Sequence, residues 1–201
     1  MNHQGTRRLE TPRLILRRFS VQDAPSMYTN WASDPAVTEF LTWPAHASED
    51  VSRMVLKDWT AQYADPSFYT WGLEIRETGE LIGSLSVVRL DEDIGEAELG
   101  WCIGRRWWGM GYTPEAAAAV RDYLFDAVGV NRLSAKHDVN NPKSGRVMAK
   151  IGMRIEGVRR QGGRNNKGVV DMACRAMLKS DMEAQNPSFK LRATGLDGAA
   201  E

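Results

Sequence analysis

The chain has 201 residues, 42% of them hydrophobic, enough for one domain with a proper core or two very small ones. With 18 glycines and 8 prolines its composition is neither disordered nor collagen-like. Its 26 basic and 26 acidic side chains cancel, so no overall field holds a polyanion and direct nucleic acid binding is not expected.

The longest unbroken apolar run, residues 116–120, is five residues, against about 20 for a membrane span. The opening MNHQGTRR is basic, but no apolar stretch follows it, so it does not read as a secretory signal. Cys102 and Cys174 make one bridge at most. A soluble cytoplasmic protein with buried, inert thiols is expected. No repeat or Pro/Gly/Ser linker divides the chain. Residues 8–183 read as one domain, and 184–201, without periodicity, as a mobile tail.

In chain order, residues 14–19 alternate as a strand. Ser20, three residues before Asp23, opens a helix to about Ala32. Residues 34–47 read as irregular and carry Phe40, Trp43 and His46. A second helix begins near Ser48, with Val51, Met54, Val55 and Trp59 as its apolar face. Residues 69–75, 81–90 and 96–103 then form an antiparallel meander joined by turns at 77–80 and 91–95.

A helix over 113–128 follows, with Thr113 as N-cap, Pro114 at the first helical position and Gly129 as its stop. Ala116, Val120, Leu124 and Val128 line one side of it. Residues 132–139 are a strand, and 144–151 a short helix with Val147, Met148 and Ile151 inward. Residues 154–159 and 169–178 are two more strands, split by a loop over 161–167. The order β-α-α-β-β-β-α-β-α-β-β implies an α/β (α+β) fold: a mixed, seven-stranded sheet with helices on both sides.

Between the strand ending near Ile103 and the next helix lies Arg106-Trp107-Trp108-Gly109-Met110-Gly111. Two glycines let the backbone turn tightly, so the amides of residues 108–112 can share one concavity at the positive end of a helix dipole. That is a phosphate-binding device. It is not a Walker loop, because no Gly-Lys-Ser/Thr follows, and the dinucleotide pattern G-x-G-x-x-G is absent. At the next strand end, Asn141-Pro142-Lys143-Ser144 offers an amide and a hydroxyl at a helix entry. Taken alone, each segment also reads as an ordinary turn or cap.

Together they resemble the acetyl-coenzyme A site of the GNAT N-acetyltransferases, in particular the RimJ/RimL-like branch. The likeness extends to Thr11-Pro12-Arg13-Leu14-Ile15-Leu16-Arg17, Thr78-Gly79-Glu80-Leu81-Ile82-Gly83 and Glu98-Leu99-Gly100-Trp101-Cys102-Ile103-Gly104. It continues through Asn131-Arg132-Leu133, Lys150-Ile151-Gly152-Met153, Glu156-Gly157-Val158-Arg159 and Asp171-Met172, covering roughly residues 11 to 182.

The resemblance implies a mostly antiparallel sheet whose fourth and fifth strands splay apart, with pantetheine in the gap. Acetyl-coenzyme A is then the cosubstrate, no metal is required, and acetyl passes directly to an amine. The strand backbone around Trp101 and Ile103 would run along the pantetheine and supply the oxyanion donor. Arg106, Trp108, Gly109, Met110, Gly111 and Tyr112 would receive the pyrophosphate. Asn141 would contact the pantetheine arm and Ser144 the departing sulfur, since Met148 stands where many members carry a tyrosine. Glu98 is the leading candidate base, ahead of His137 and Asp138. Lys136 occupies a position where some members have a catalytic glutamate, so a water chain is the alternative for an α-amine, which titrates near pH 8.

Phe40 and Trp43, on a loop, are expected to build the acceptor side. The expected acceptor is a protein or peptide N-terminus, and the enzyme a monomer or homodimer. A small amine is the second reading: a polyamine, an aminoglycoside or an amino-acid derivative. For a cationic one, the acidic turn Asp91, Glu92, Asp93 and Glu96 is the candidate counter-charge. A coenzyme A-binding sensor without activity is the third.

Overall fold

The computed structural model describes residues 1–185. The chain builds eight strands: β1 (Leu9–Glu10), β2 (Leu14–Arg17), β3 (Thr70–Ile75), β4 (Leu81–Asp91), β5 (Glu96–Ile103), β6 (Arg132–Asp138), β7 (Arg154–Asn165) and β8 (Gly168–Leu178). They form one sheet in the order β1-β2-β3-β4-β5-β6-β8-β7. Every neighbouring pair is antiparallel except β5 and β6. The strand beyond the expected seven is β1, whose Leu9 and Glu10 pair with Leu16 and Ile15. Two residues are too few for a period to register.

The expected first helix is three short pieces. A 3-10 turn (Val21–Asp23) leads into α1 (Ala24–Met27) and then a π turn (Tyr28–Ala32). Its start is as expected, with the Ser20 N–H donating to the Asp23 carboxylate at 2.8 Å. The segment expected to be irregular contains α2 (Pro35–Thr38), capped by the Asp34 side chain. In α3 (Glu49–Gln62), Ser48 is the cap and Val55 and Trp59 pack partly against the core as expected, but the fully buried side chains are Ser52 and Leu56. Met54 is 66% exposed, because the helix turns its 52/56 side to the core.

A larger correction concerns α4 (Tyr112–Tyr123), continued by a π turn (Leu124–Val128). Its N-cap is Gly111, not Thr113. Gly111 has φ +82°, the left-handed region open to glycine, so the helix starts two residues earlier and buries Thr113 in its first turn. The expected lining holds: Ala116, Val120, Leu124 and Val128 are all fully buried. In α5 (Pro142–Lys150) the start is likewise earlier, with Asn141 as cap.

The expected loop over 161–167 is mostly strand. Strand β7 runs to Asn165, and Asn165 pairs with Gly168 across a two-residue turn. The glycines at 162 and 163 belong to a bulge between Arg159 and Gly163, with Gln161 at φ +48°. A short helix, α6 (Lys179–Gln185), closes the described chain. The expected tail lies outside the described residues from 186 onward.

Helices cover both faces of the sheet, as expected. Helices α4 and α5 pack on the face that carries Ala97, Leu99, Ile103, Leu133 and Ala135. Helices α1 to α3 pack a smaller core around Phe19, Met27, Trp31, Leu56, Leu81 and Cys102 on the other.

Candidate active site

Strands β5 and β6 pair only over Glu96–Arg132, Ala97–Leu133 and Glu98–Ser134. Beyond that, β5 stays with β4 as far as Gly83–Ile103, while β6 stays with β8 as far as Asp138–Met172. A bulge at Val88, between the pairs Val87–Leu99 and Arg89–Glu98, bends β4 and β5 just where β6 departs. The strands therefore splay into a V, as the resemblance implies.

Backbone alternation decides what faces the gap. The Gly104 N–H donates to Ile82 on the β4 side, at 2.9 Å. Ile103, Trp101 and Leu99 therefore turn their N–H and C=O groups to the β6 edge, which past Glu98 has no partner strand. Leu99 closes the β5–β6 ladder, and beyond it the Trp108 indole N–H donates to the Ile103 carbonyl at 2.8 Å.

Above the gap sits the loop. A 3-10 turn (Arg105–Trp107) precedes Trp108, and Gly109 and Gly111 follow with φ of +80° and +82°. The loop delivers the free N–H groups of the first turn of α4, with the helix dipole behind them. Lys143, in the first turn of α5, lies 4.1 Å over the Trp108 ring. That contact brings the glycine loop and the β6–α5 turn together. Arg106, at the head of the loop, is 72% exposed and paired with Glu80 at 3.1 Å.

A brace under the loop has no counterpart in the sequence pattern. Arg13, just before β2, donates to the Met110 carbonyl at 2.9 Å and lies 4.5 Å from the Tyr112 ring centre. Its guanidinium pairs with Glu115 at 2.6 Å, and the same carboxylate accepts from the Thr11 hydroxyl at 2.6 Å and the Arg13 N–H at 3.0 Å. Burial alone would raise the Glu115 pKa. The hydrogen bonds from Thr11 and Arg13 outweigh it and hold the carboxyl below its ordinary range. The one local signal is an acid in the first turn of a helix behind a glycine loop. Arg13→Ala should raise the KM for acetyl-coenzyme A roughly fivefold. It should leave the KM for S-acetylpantetheine, which lacks the pyrophosphate, nearly unchanged. Equal losses with both donors would make the brace a general packing feature.

At the β6–α5 turn, the Asn141 side chain accepts from the Ser144 N–H at 3.3 Å. The Ser144 hydroxyl makes no hydrogen bond among the described residues. Met148 is 1% exposed within the core. Its thioether donates no proton.

Glu98 lies where the V opens, with 9% of its surface exposed. Its two oxygens meet Lys136 Nζ at 2.9 and 3.2 Å, and Arg89 Nε is 3.7 Å away. Both carboxylate oxygens are thus engaged by cations, which leaves neither lone-pair face open toward an incoming amine. His137 faces α5: a Cβ on Gly145 would come within 2.6 Å of its Nε2. Asp138, 2% exposed, accepts from the Asn140 N–H at 2.8 Å and from Asn165 Nδ2 at 2.8 Å. The buried Cys102 thiol is 3.3 Å from the Ser84 hydroxyl, and burial raises its pKa. It is an unpromising nucleophile.

The Phe40–Trp43 segment is bound to the β7–β8 hairpin. Asn166 Nδ2 donates to the Thr38 and Trp43 carbonyls at 2.8 and 2.7 Å, and its N–H donates to Leu41 at 3.2 Å. Lys167 lies 5.2 Å over the Phe40 ring and pairs with Glu39 at 2.6 Å. Trp43 packs partly on the smaller core, 5.2 Å from the His46 ring. Beside this junction is a recess of about 630 Å³. Three of the four acids of the turn are paired. Asp91 and Glu96 pair with Arg89, and Glu92 pairs with His3 and the N-terminal amine.

Among the described residues, no helix is long and apolar enough to cross a membrane, and no three His, Cys, Asp or Glu side chains gather as a metal site. Comparison with known proteins agrees with the geometry. Residues 13–154 match the acetyltransferase (GNAT) domain family. The uncharacterized N-acetyltransferase YoaA of Bacillus subtilis (strain 168) is 33% identical over 153 residues, covering 76% of this chain and 86% of that one. The [ribosomal protein uS5]-alanine N-acetyltransferase of Escherichia coli (strain K12) is 27% identical over 158 residues, covering 75% and 79%. The microcin C7 self-immunity acetyltransferase MccE, solved with acetyl-CoA and AMP, shares the fold with a TM-score of 0.76 at 18% identity, covering 84% of this chain and 93% of that one. With its splayed strands, glycine-capped helix and matched domain, the chain belongs to the GNAT acetyltransferases, enzymes that move acetyl from acetyl-coenzyme A to an amine.

Proposed function

We propose that this enzyme acetylates the N-terminal α-amine of a protein or peptide, by direct transfer within a ternary complex. One observation carries the reading: the recess beside the Phe40–Trp43 loop is linked to the β6–α5 turn through buried Asp138, which accepts from Asn165 of the recess and from the Asn140 N–H. An open recess of that kind suits a chain end entering from outside. The relative named above is, by its name, an N-acetyltransferase for an alanine of ribosomal protein uS5, and an alanine in a protein carries a free amine only at the chain's N-terminus.

In this reading the pantetheine lies against the unpartnered edge of β5, and the first turn of α4 takes the pyrophosphate. A backbone N–H among Trp101 and Ile103 steadies the oxyanion. The Ser144 hydroxyl, uncommitted among the described residues, donates to the departing thiolate. Glu98 is held by Lys136, so the amine proton leaves through water, with Glu98 fixing the charge balance where the strands part.

Ser144→Ala should lower kcat about tenfold while changing the KM for acetyl-coenzyme A much less, because a bond to sulfur strengthens as charge develops there. An unchanged kcat removes Ser144 from the mechanism. The acceptor is tested by incubating the enzyme and acetyl-coenzyme A with free and N-blocked peptides, polyamines and aminoglycosides, read by mass spectrometry. Acetylation of free peptides supports the reading. Acetylation of small amines alone overturns it.

A further inference from the structure

We propose that the acceptor recess selects peptides that carry a carboxylate within their first residues. The inference rests on the peptide-acceptor reading above and names the class of peptide.

The charge balance of the whole chain is zero, but the β7–β8 hairpin departs from it. Residues 157–170 hold Arg159, Arg160, Arg164 and Lys167 and no acidic residue. Two of these cations, Arg164 and Lys167, line the recess together with Thr42, Asn165, Asn166 and Gly168. No carboxylate is among those lining residues, so a polyamine or an aminoglycoside meets no counter-charge there. Lys167 is already neutralised by Glu39 at 2.6 Å. Arg164 is exposed and has no ion pair or hydrogen bond from its side chain among the described residues. The net charge offered to an acceptor is therefore that of Arg164.

The position of Arg164 is well defined. It pairs with Val169 in the β7–β8 ladder, and the neighbouring Asn165 is 8% exposed and bonded to Asp138. Asn166 pins the hairpin tip to the Phe40–Trp43 loop with two side-chain bonds. A planar guanidinium on a fixed backbone suits a two-point bond to a carboxylate better than a lysine would.

The test compares kcat/KM for three peptides with the same N-terminal alanine, followed by two Asp, two Gln or two Lys residues. The wild-type enzyme should prefer the acidic peptide over the neutral one, and the neutral over the basic one. In Arg164→Gln the acidic-to-neutral ratio should fall about tenfold. Arg164→Lys should recover part of it. At about 1 M salt, where the screening length is about 3 Å, the wild-type preference should shrink. The ratio is taken within each variant, so partial loss of folded enzyme does not move it. Equal use of all three peptides, or an unchanged ratio in Arg164→Gln, overturns the charge selection and leaves the peptide reading standing. Turnover of small amines with none of the peptides overturns both.

Discussion

Replacing Gly111 with valine should weaken coenzyme A binding by roughly tenfold to a hundredfold while the fold survives. Gly111 caps α4 at φ +82° and ψ 5°, a conformation a β-branched residue avoids. A Cβ there would also stand 3.3 Å from Arg13 Nη2, inside the brace that holds the loop. The variant loop relaxes to a right-handed or extended conformation and its amides no longer converge. Binding must then restore the strained state, and a penalty of about 1.4–2.8 kcal/mol is the tenfold to hundredfold loss in affinity. Calorimetry with coenzyme A reads the loss, and the melting temperature should move by only a few degrees. Wild-type affinity in this variant would mean that the phosphates bind elsewhere.

Gly104→Ala should be the most destabilising of these substitutions, and for a different reason. Gly104 has an ordinary φ of −57°, so its backbone would accept alanine. Space would not. An added Cβ would lie 2.2 Å from the Asn30 carbonyl oxygen and 2.6 and 2.8 Å from carbons of the Trp107 ring. The nearest atom is backbone and Trp107 is 5% exposed, so neither can yield without moving the π turn or the loop. Overpacking of this severity costs about 3 kcal/mol or more, and the melting temperature should fall by roughly 6–12 °C. Coenzyme A affinity should fall as well, since Gly104 leads directly into the glycine loop proposed to take the pyrophosphate. Thermal unfolding at wild-type temperature would show that the π turn shifts freely.

Much of this arrangement is legible in the amino-acid sequence. The i, i+4 run Ala116, Val120, Leu124 and Val128 identifies the buried side of α4, and all four are fully buried. The splay of β5 from β6 can be anticipated only by resemblance, because it depends on a bulge at Val88 and on where β6 parts from β5, after Ser134. Neither has a local signature.

Three local patterns mislead for physical reasons. Thr113 and Pro114 look like a cap and a first helical residue, but the left-handed Gly111 starts the helix two positions earlier. Gly162 and Gly163 look like a turn, but they absorb a bulge, while Asn166 and Lys167 make the turn. Met54 fits a helical apolar stripe, but α3 faces the core with Ser52 and Leu56. Long-range partners leave no local trace at all. Arg13 is 102 residues from Glu115, and Asn166 is 123 from Trp43. The site's polar bracing comes from such pairs, and periodicity carries no information about them.

In the proposed complex, acetyl-coenzyme A lies along the free edge of β5 and under the first turn of α4. Amide hydrogen exchange, with and without coenzyme A, tests it at the residues concerned. Slowed exchange is expected at Trp101 and Ile103, whose N–H groups face the gap beyond the last β5–β6 pair, and at Gly109 through Tyr112, with little change in β2 and β3. Protection elsewhere, with the β5 edge exchanging at the same rate in both states, would contradict it.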